Sequence, residues 1–328
     1  MNTTNQINIT TIGWWNGSYG LLSAIRDNED YNISAIIAMS DSWGSTWKLR
    51  EEFDVLPPWD IRRWIMALSR EHEIVKQLFD YRYDKECSVW GHSLWNLLIT
   101  AMADITWSFD KGLKQISKMF RVKGRVIPVT LEKSHLNVEL EDWTLIKWEK
   151  DIDVPKHDVN LKITKAFLTP EVEANPKAVK AIEKSDMIII SFWDLYTSIV
   201  PNLLVKGIKE AIAKNKNAKV VYFCNAMSKP WETTKFSAID FADTIEQYLW
   251  EGILDYVVVN NWYISEKMVD KYKNLEKKKP VKVKDIKEFK WKKYKLIEAD
   301  LIYENQFIRY HYDKVAWVID DLIRKEIR

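Results

Sequence analysis

The residues best suited to binding a phosphate group lie at positions 7–20, INITTIGWWNGSYG. A β-branched apolar run ends at Gly13, Asn16 and Gly17 follow, and a helical pattern begins at Leu21. A strand, a turn of small residues and a helix together bring backbone N–H groups and the positive end of a helix dipole to a phosphate. The order of these residues therefore predicts a nucleotide-binding turn at the start of the chain.

A second loop with similar chemistry follows a buried strand predicted at residues 34–39. Its polar and small residues are Asp41, Ser42, Gly44, Ser45 and Thr46. The N–H groups of such a loop can bind phosphate, and the Asp41 carboxylate is a suitable ligand for a divalent cation. A solvated loop between a strand and a helix is the alternative interpretation.

Polar side chains also stand at the predicted starts of two helices. Asp60 suits the N-cap of one helix, with Arg62 in its first turn. His92 precedes Ser93, the expected N-cap of the most apolar helix, and Asn96 lies one turn later. A histidine at this position can bind an anion or transfer a proton, while capping, surface charge and a structural histidine are the alternatives.

Two later buried strands, predicted at residues 187–190 and 220–224, end in further polar residues. The first leads to Asp194, Tyr196, Thr197 and Ser198, and the second leads to Asn225, Lys229, Glu232 and Thr233. Arg309 and His311 come just before a final amphipathic helix. Ligands bind at the carboxyl ends of the strands in open parallel sheets, so we expect these groups to converge there.

The elements that must position these residues alternate between strands and helices, which predicts an α/β fold with a mostly parallel sheet. We interpret residues 1–328 as one domain, with a smaller β-hairpin insertion near residues 125–168. The hairpin is expected to turn at Asp142 and Trp143, where Asp-Gly is the usual pair.

Composition excludes several classes of function. The net charge of +2 gives no global field for nucleic acid, and no apolar run reaches the ~20 residues of a membrane span. We interpret the lysine-rich stretch at residues 271–295 as a solvated face. Two cysteines and an N-terminus without a signal-peptide pattern predict a protein of the reducing cytoplasm.

The tryptophan and glycine contents are both unusual, with 17 tryptophans and 9 glycines in 328 residues. Glycine normally makes up about 7% of a protein. Several tryptophans occupy turn positions typical of glycine, such as Trp59 and Trp231, each directly after a proline. We interpret many of them as glycines of the natural protein, encoded by UGA codons that were translated with the wrong genetic code. The alternative is a tryptophan-rich protein.

The ordered motifs resemble the CofD/YvcK-like superfamily, which contains bacterial gluconeogenesis factors and 2-phospho-L-lactate transferases. The matching family elements are G-G-G-x-G at 13–17, D-D-G-G-S-S-G at 41–47, P-P-G-D-I-R at 57–62, G-H-S-x-G-N at 91–96, G-S/D-L-Y-T-S at 193–198, C-N…P-G-E-T at 224–233 and R-H-D at 309–313. The family has glycine at Trp15, Trp43, Trp47, Trp59, Trp95, Trp193 and Trp231. Ser42 replaces the usual second aspartate, which weakens a metal site built on Asp41.

The resemblance implies a Rossmann-like three-layer α/β/α fold with a doubly wound sheet and a cleft for a diphosphate-bearing nucleotide. It implies a homo-oligomer whose ligand is a nucleotide or nucleotide sugar. The residues that it assigns to ligand binding are Gly13, Asn16, Gly17, Asp41, Ser42, Gly44, Ser45, Thr46, Asp60, Arg62, His92, Ser93, Asn96, Asp194, Tyr196, Thr197, Ser198, Asn225, Lys229, Glu232, Thr233 and Arg309.

Asn16 in the opening loop favours the gluconeogenesis-factor branch, whose members bind a UDP-sugar and affect cell shape and wall synthesis. The alternative is the transferase branch, which uses Mg²⁺, a guanosine diphosphate donor and a deazaflavin acceptor. An NAD-dependent oxidoreductase is a third interpretation, but no acidic residue clearly ends the second strand in the ribose-binding role.

Overall fold

The computed structural model describes residues 6–13, 15–40, 56, 59–70, 73–82, 93–154, 158, 161–283, 289 and 291–328. Its strands are β1 (Ile7–Gly13), β2 (Tyr31–Ile37), β3 (Arg125–Pro128), β4 (His135–Leu140), β5 (Leu145–Lys147), β6 (Ile163–Thr169), β7 (Met187–Ile190), β8 (Lys219–Phe223), β9 (Tyr256–Asn260), β10 (Lys295–Ala299), β11 (Ile302–Glu304) and β12 (Ile308–Tyr310). Its helices are α1 (Trp15–Ile25), α2 (Trp59–Leu68), α3 (Glu73–Asp80), α4 (Leu94–Ile105), α5 (Phe109–Met119), α6 (Glu149–Asp153), α7 (Pro176–Glu183), α8 (Val200–Leu203), α9 (Ile208–Lys214), α10 (Ala238–Tyr248), α11 (Glu266–Leu275) and α12 (Tyr312–Glu326).

The central sheet of the described chain has seven parallel strands in the order β10-β9-β8-β7-β1-β2-β3. Its inner strands β7 and β9 are nearly continuous apolar runs because helices cover both faces of a parallel sheet. Ile9 of β1 lies in register with Ile33 of β2 and with Met187 of β7, and all three side chains are buried. This is the predicted α/β Rossmann-like arrangement.

The direction of strand succession reverses between β1 and β7, because β2 and β3 continue on one side and β8 to β10 on the other. Such a reversal leaves a crevice at the carboxyl ends of the two strands. Gly13 ends β1, and Ser191 and Phe192 follow β7, so their backbones meet at this point. The topology therefore places the turns after β1, β7 and β8 at one edge of the sheet.

A smaller antiparallel sheet has the order β5-β4-β6. Its β4–β5 hairpin turns at Asp142 and Trp143, where the Asp142 carboxylate accepts a hydrogen bond of 3.0 Å from the Thr144 N–H. The first strand of the expected insertion, β3, instead pairs with β2 in the central sheet. Helix α6 follows β5 directly and carries Asp153 at its end.

The lysines of the described part of the 271–295 stretch are exposed or partly exposed, as expected for a solvated face, and the stretch connects two regular elements. Helix α11 begins at Glu266, and β10 pairs in parallel with β9 at the edge of the central sheet. The short hairpin of β11 and β12 follows and leads into α12, which packs against α1. Within the described ranges, no helix is long and apolar enough to cross a membrane.

Candidate functional site

A cavity of about 670 Å³ opens beyond the carboxyl ends of β7 and β8. The loop after β7 contributes Phe192, Trp193 and Asp194 to its wall, and the loop after β8 contributes residues 225–231. The end of α11, the β11–β12 hairpin and the start of α12 form the opposite side. Its position matches the edge where open parallel sheets bind ligands, and its volume lies within the usual range for small-molecule sites.

The strongest electrostatic feature of the cavity wall is an ammonium group shared by three carboxylates. Lys229 Nζ lies 2.8 Å from Asp194 Oδ2 and 2.7 Å from Glu232 Oε1, and it also donates a hydrogen bond to Asp153 Oδ1. Burial alone would lower the pKa of Lys229, but the three carboxylates raise it well above its ordinary value. Lys229 is therefore a permanent cation that joins α6 to the loops after β7 and β8.

Glu232 is the buried member of this cluster and fixes the turn after β7. Its Oε2 accepts a hydrogen bond of 3.2 Å from the Tyr196 N–H, and its Oε1 accepts one of 3.1 Å from Thr197 Oγ1. Burial raises the pKa of Glu232 to about 7, although Lys229 acts in the opposite direction. The turn that it holds, Leu195–Ile199, is a single π-helical turn, a feature that often occurs at functional sites.

Arg309 on β12 lines the opposite side of the same cavity. Its guanidinium carbon lies 5.3 Å from the centre of the Phe307 ring, a distance typical of a cation–π contact. Of the lining cations in the described part, Lys229 pairs with carboxylates and Lys278 pairs with Glu276 at 2.6 Å. Arg309 forms no ion pair with a described residue, which leaves its charge available for an anion.

Asn225 joins the loops after β7 and β8 through the backbone of Trp193. Its Oδ1 accepts a hydrogen bond of 2.9 Å from the Trp193 N–H, and its Nδ2 donates one of 2.7 Å to the Trp193 carbonyl. Thr233 Oγ1 accepts a hydrogen bond of 2.8 Å from the Lys229 N–H within the second loop. Both polar side chains thus shape the cavity wall by binding main chain.

Gly13 and Gly17 permit the close approach of α1 to the loop after β7. A Cβ atom at Gly17 would lie 1.6 Å from the Phe192 carbonyl oxygen, and one at Gly13 would lie 1.9 Å from Ser191 Oγ. Asn202 Nδ2 donates a hydrogen bond of 3.3 Å to the Gly13 carbonyl. The Phe192 backbone therefore requires glycine at position 17, a Cβ at position 13 would displace the Ser191 hydroxyl, and phosphate binding by this turn stays a prediction.

The other predicted site residues are not all brought to this cavity. Ser93 caps α4 by accepting a hydrogen bond from the Asn96 N–H, and Arg62 pairs with Asp80 at 3.0 Å. The predicted residues Ser93, Asn96 and Arg62 do not line the cavity. Tyr196, Thr197 and Ser198 are buried beside it. Asn16 and Asp60 lie in α1 and α2, and their side chains are outside the described part. Asp41, Ser42, Gly44, Ser45, Thr46 and His92 lie outside the described residues.

The described carboxylates do not offer a metal site while Lys229 is in place. Ligand atoms of Asp153, Asp194 and Glu232 lie within 4.8 Å of one another, close enough to hold one cation. The Lys229 ammonium already contacts all three of them. The predicted cation ligand Asp41 lies outside the described residues, so its role stays a prediction.

Asp153 and the aromatic residues of the β11–β12 hairpin were not predicted from the sequence as site residues. Asp153 stands 76 positions before Lys229, in a short helix whose charged sequence resembles any solvated surface. Tyr310 stacks on Phe192 with ring centres 3.6 Å apart, and its hydroxyl donates a hydrogen bond of 2.8 Å to the Cys224 carbonyl. For the hairpin aromatics, the sequence signal for a place in the site was their position next to Arg309.

Backbone angles separate the tryptophans into two groups. In the described part, seven non-glycine residues have positive φ, and four of them are Trp107, Trp143, Trp148 and Trp231. Such angles are ordinary for glycine and strained for residues with a Cβ atom. Trp95, by contrast, is helical and buried against Phe120, although the resemblance places glycine there. The four positive angles agree with the interpretation that these positions carry glycine in the natural protein.

A smaller apolar pocket of about 280 Å³ lies beyond β8 and β9. It shares Asn225 and Ala226 with the larger cavity, and Val259, Ile264 and Val281 contribute to its lining. Asn260 Nδ2 donates a hydrogen bond to the Trp262 carbonyl, and its Oδ1 accepts one from the Leu301 N–H. No charged residue of the described chain lines this pocket, which makes the larger cavity the better site for an anionic ligand.

Comparison with known proteins agrees with the geometry. A sequence model described as 2-phospho-L-lactate transferase CofD matches residues 9–302. The chain is 36% identical over 318 residues to the gluconeogenesis factor of Bacillus subtilis, covering 96% of this chain and 98% of the relative. It is 38% identical over 275 residues to the gluconeogenesis factor of Halalkalibacterium halodurans, covering 83% of each chain.

A solved structure shares the whole arrangement. The crystal structure of a UPF0052 family member from Bacillus halodurans superposes with a TM-score of 0.89 at 34% sequence identity. The match covers 96% of this chain and 99% of the other. The similarity therefore extends over the central sheet, the smaller sheet and the hairpin that closes the cavity.

Proposed function

The chain belongs to the CofD family, and from this premise we propose that it binds a UDP-sugar in the 670 Å³ cavity. In this proposal the protein is a regulator of the gluconeogenesis-factor type that links a nucleotide sugar to cell shape and wall metabolism. A cytoplasmic location and a homo-oligomeric state belong to the same proposal.

The observation that carries the proposal is the position of Arg309. Arg309 lines a cavity beyond the carboxyl ends of parallel strands. Its guanidinium contacts the Phe307 ring and has no carboxylate partner among the described residues. A guanidinium can bind two phosphate oxygens at once, and its planar donors suit a diphosphate. The stacking contact with Phe307 holds this group at the cavity wall.

A 2-phospho-L-lactate transferase is the second candidate, because the matching family description carries that name. Such an enzyme would bind a guanosine diphosphate donor and a deazaflavin alcohol. The opening loop, with Asn16 between Gly13 and Gly17, favours the first proposal. The two candidates differ in the nucleotide that the cavity should prefer.

Calorimetric titration of the protein with UDP-glucose, UDP-N-acetylglucosamine, GDP and NAD tests the proposal. We expect a UDP-sugar to bind more tightly than GDP or NAD. Arg309→Ala should weaken that binding by about tenfold, because a hydrogen bond to a charged group contributes roughly 1.5–3 kcal/mol. Arg324→Ala is the matched control, since Arg324 is an exposed α12 residue that pairs with Asp321. Preferred binding of GDP would favour the transferase, and an unchanged affinity in Arg309→Ala would contradict the role of Arg309.

A further inference from the structure

The two sides of the 670 Å³ cavity carry opposite charge. Arg309 stands on the β12 side, whereas Asp153 and Asp194 stand on the side formed by α6 and the loop after β7. The Asp153 and Asp194 side chains are 28% and 20% exposed, so both carboxylates reach the cavity surface. A ligand that fills this space must therefore present different chemistry at its two ends.

Each aspartate uses only one carboxylate oxygen for Lys229. The ammonium contacts Oδ1 of Asp153 and Oδ2 of Asp194. In the described part of the chain, Asp153 Oδ2 and Asp194 Oδ1 accept no hydrogen bond. The shared ammonium fixes the directions of both carboxylates and leaves one acceptor on each for a ligand.

An ionised carboxylate only accepts hydrogen bonds, so its partner must be a donor. A diphosphate at neutral pH has acceptors and negative charge, and these two aspartates would repel it. The hydroxyl groups of a sugar are neutral donors, and a charged acceptor strengthens each hydrogen bond that they form. The carboxylate side is thus unsuited to the phosphates of a nucleotide sugar and suited to its sugar.

We propose that Asp153 and Asp194 bind sugar hydroxyl groups of the nucleotide sugar, while Arg309 binds its diphosphate. This assignment rests on the proposed function and adds to it the orientation of the ligand and the residues that recognise the sugar. Lys229 acts as a positioning residue, because its ammonium contacts both aspartates and fixes the directions of their carboxylates. UDP, which lacks the sugar, then provides no hydroxyl donors for the carboxylate oxygens of Asp153 and Asp194.

The affinity difference between UDP-glucose and UDP in matched variants tests this assignment. Asp153→Asn and Asp194→Asn preserve the side-chain shape but replace a charged acceptor by an amide. We expect each variant to weaken UDP-glucose binding about tenfold and to change UDP binding by less than about twofold. Glu276→Gln is the matched control, because Glu276 lines the same cavity but pairs with Lys278 on the α11 side. It should change the affinities for UDP and UDP-glucose by the same factor.

A ligand-side measurement keeps the test valid if an aspartate variant fails to fold. Wild-type protein should bind UDP-2-deoxyglucose or UDP-6-deoxyglucose at least fivefold more weakly than UDP-glucose, because a site built for a hydroxyl discriminates against its loss. Equal losses of UDP and UDP-glucose affinity in both aspartate variants, or equal affinity for all three sugars, would overturn the sugar assignment alone. Failure of the wild type to bind any UDP compound would overturn the proposed function and the assignment together.

Discussion

Replacing Trp143 by glycine is expected to stabilise the protein although it removes an indole ring. Trp143 has a φ of 68° in the β4–β5 turn, and its side chain is 82% exposed. A left-handed conformation costs a residue with a Cβ atom roughly 1–2 kcal/mol, which glycine avoids. Glycine also increases the conformational entropy of the unfolded chain, which lowers the stability of the folded protein by about 0.4–1 kcal/mol. The exposed ring contributes little burial, so the net gain is about 0.5–1 kcal/mol.

Urea unfolding followed by circular dichroism measures this difference without relying on the tryptophan fluorescence that the substitution changes. Trp317→Gly is the matched control, because Trp317 is 61% exposed but lies inside α12. Glycine in a helix interior is unfavourable, so this control should lose about 0.5 kcal/mol or more. Equal destabilisation of both variants would refute the assignment of Trp143 to a glycine position. Peptide mass spectrometry of the natural protein gives an independent result, with glycine expected at residues 143 and 231.

Three further predictions concern the packing around the cavity. Lys229→Met should destabilise the protein by about 3–5 kcal/mol in urea unfolding, because it leaves the buried Glu232 carboxylate and two partly buried aspartates without their cation; a loss below 1 kcal/mol would contradict this. Because folding raises the pKa of Glu232 from 4.5 to about 7, the folded state binds the extra proton, and the free energy of unfolding should fall as pH rises through that window. Glu232→Gln should flatten the fall, and an unchanged slope would exclude Glu232 as its source. Gly17→Ala should lower the melting temperature more than Gly20→Ala, whose Cβ would meet the Tyr312 ring at 3.2 Å and the Phe192 ring at 3.8 Å, and the reverse order would contradict the close contact of Gly17 with the Phe192 carbonyl.

The central sheet could be predicted because its strands carry a strong local pattern. Met187–Ile190 and Tyr256–Asn260 are apolar, β-branched runs that end in polar residues, and both lie inside the sheet. The edge strand Lys295–Ala299 was missed because it follows a lysine-rich segment and none of its residues is fully buried. A partly exposed edge strand of this kind depends more on its tertiary contacts than on its local pattern.

The positions of three residues of the candidate site could be predicted from the sequence, but their mutual contacts could not. Asp194, Glu232 and Lys229 each follow a buried strand, so their common edge was expected from the parallel sheet. Their mutual pairing was not expected, since an ammonium shared by three carboxylates depends on the positions of three separate elements. Asp153 joins them only because the smaller antiparallel sheet brings α6 against the loop after β7.

The most direct test of the proposed ligand site is a crystal structure of the protein with UDP-glucose bound. We expect the diphosphate oxygens within hydrogen-bond distance of the Arg309 guanidinium and the sugar hydroxyls against Asp153 and Asp194. UDP-glucose bound in the 280 Å³ pocket beyond β8 and β9, or in the larger cavity with its diphosphate away from Arg309, would contradict the proposed site.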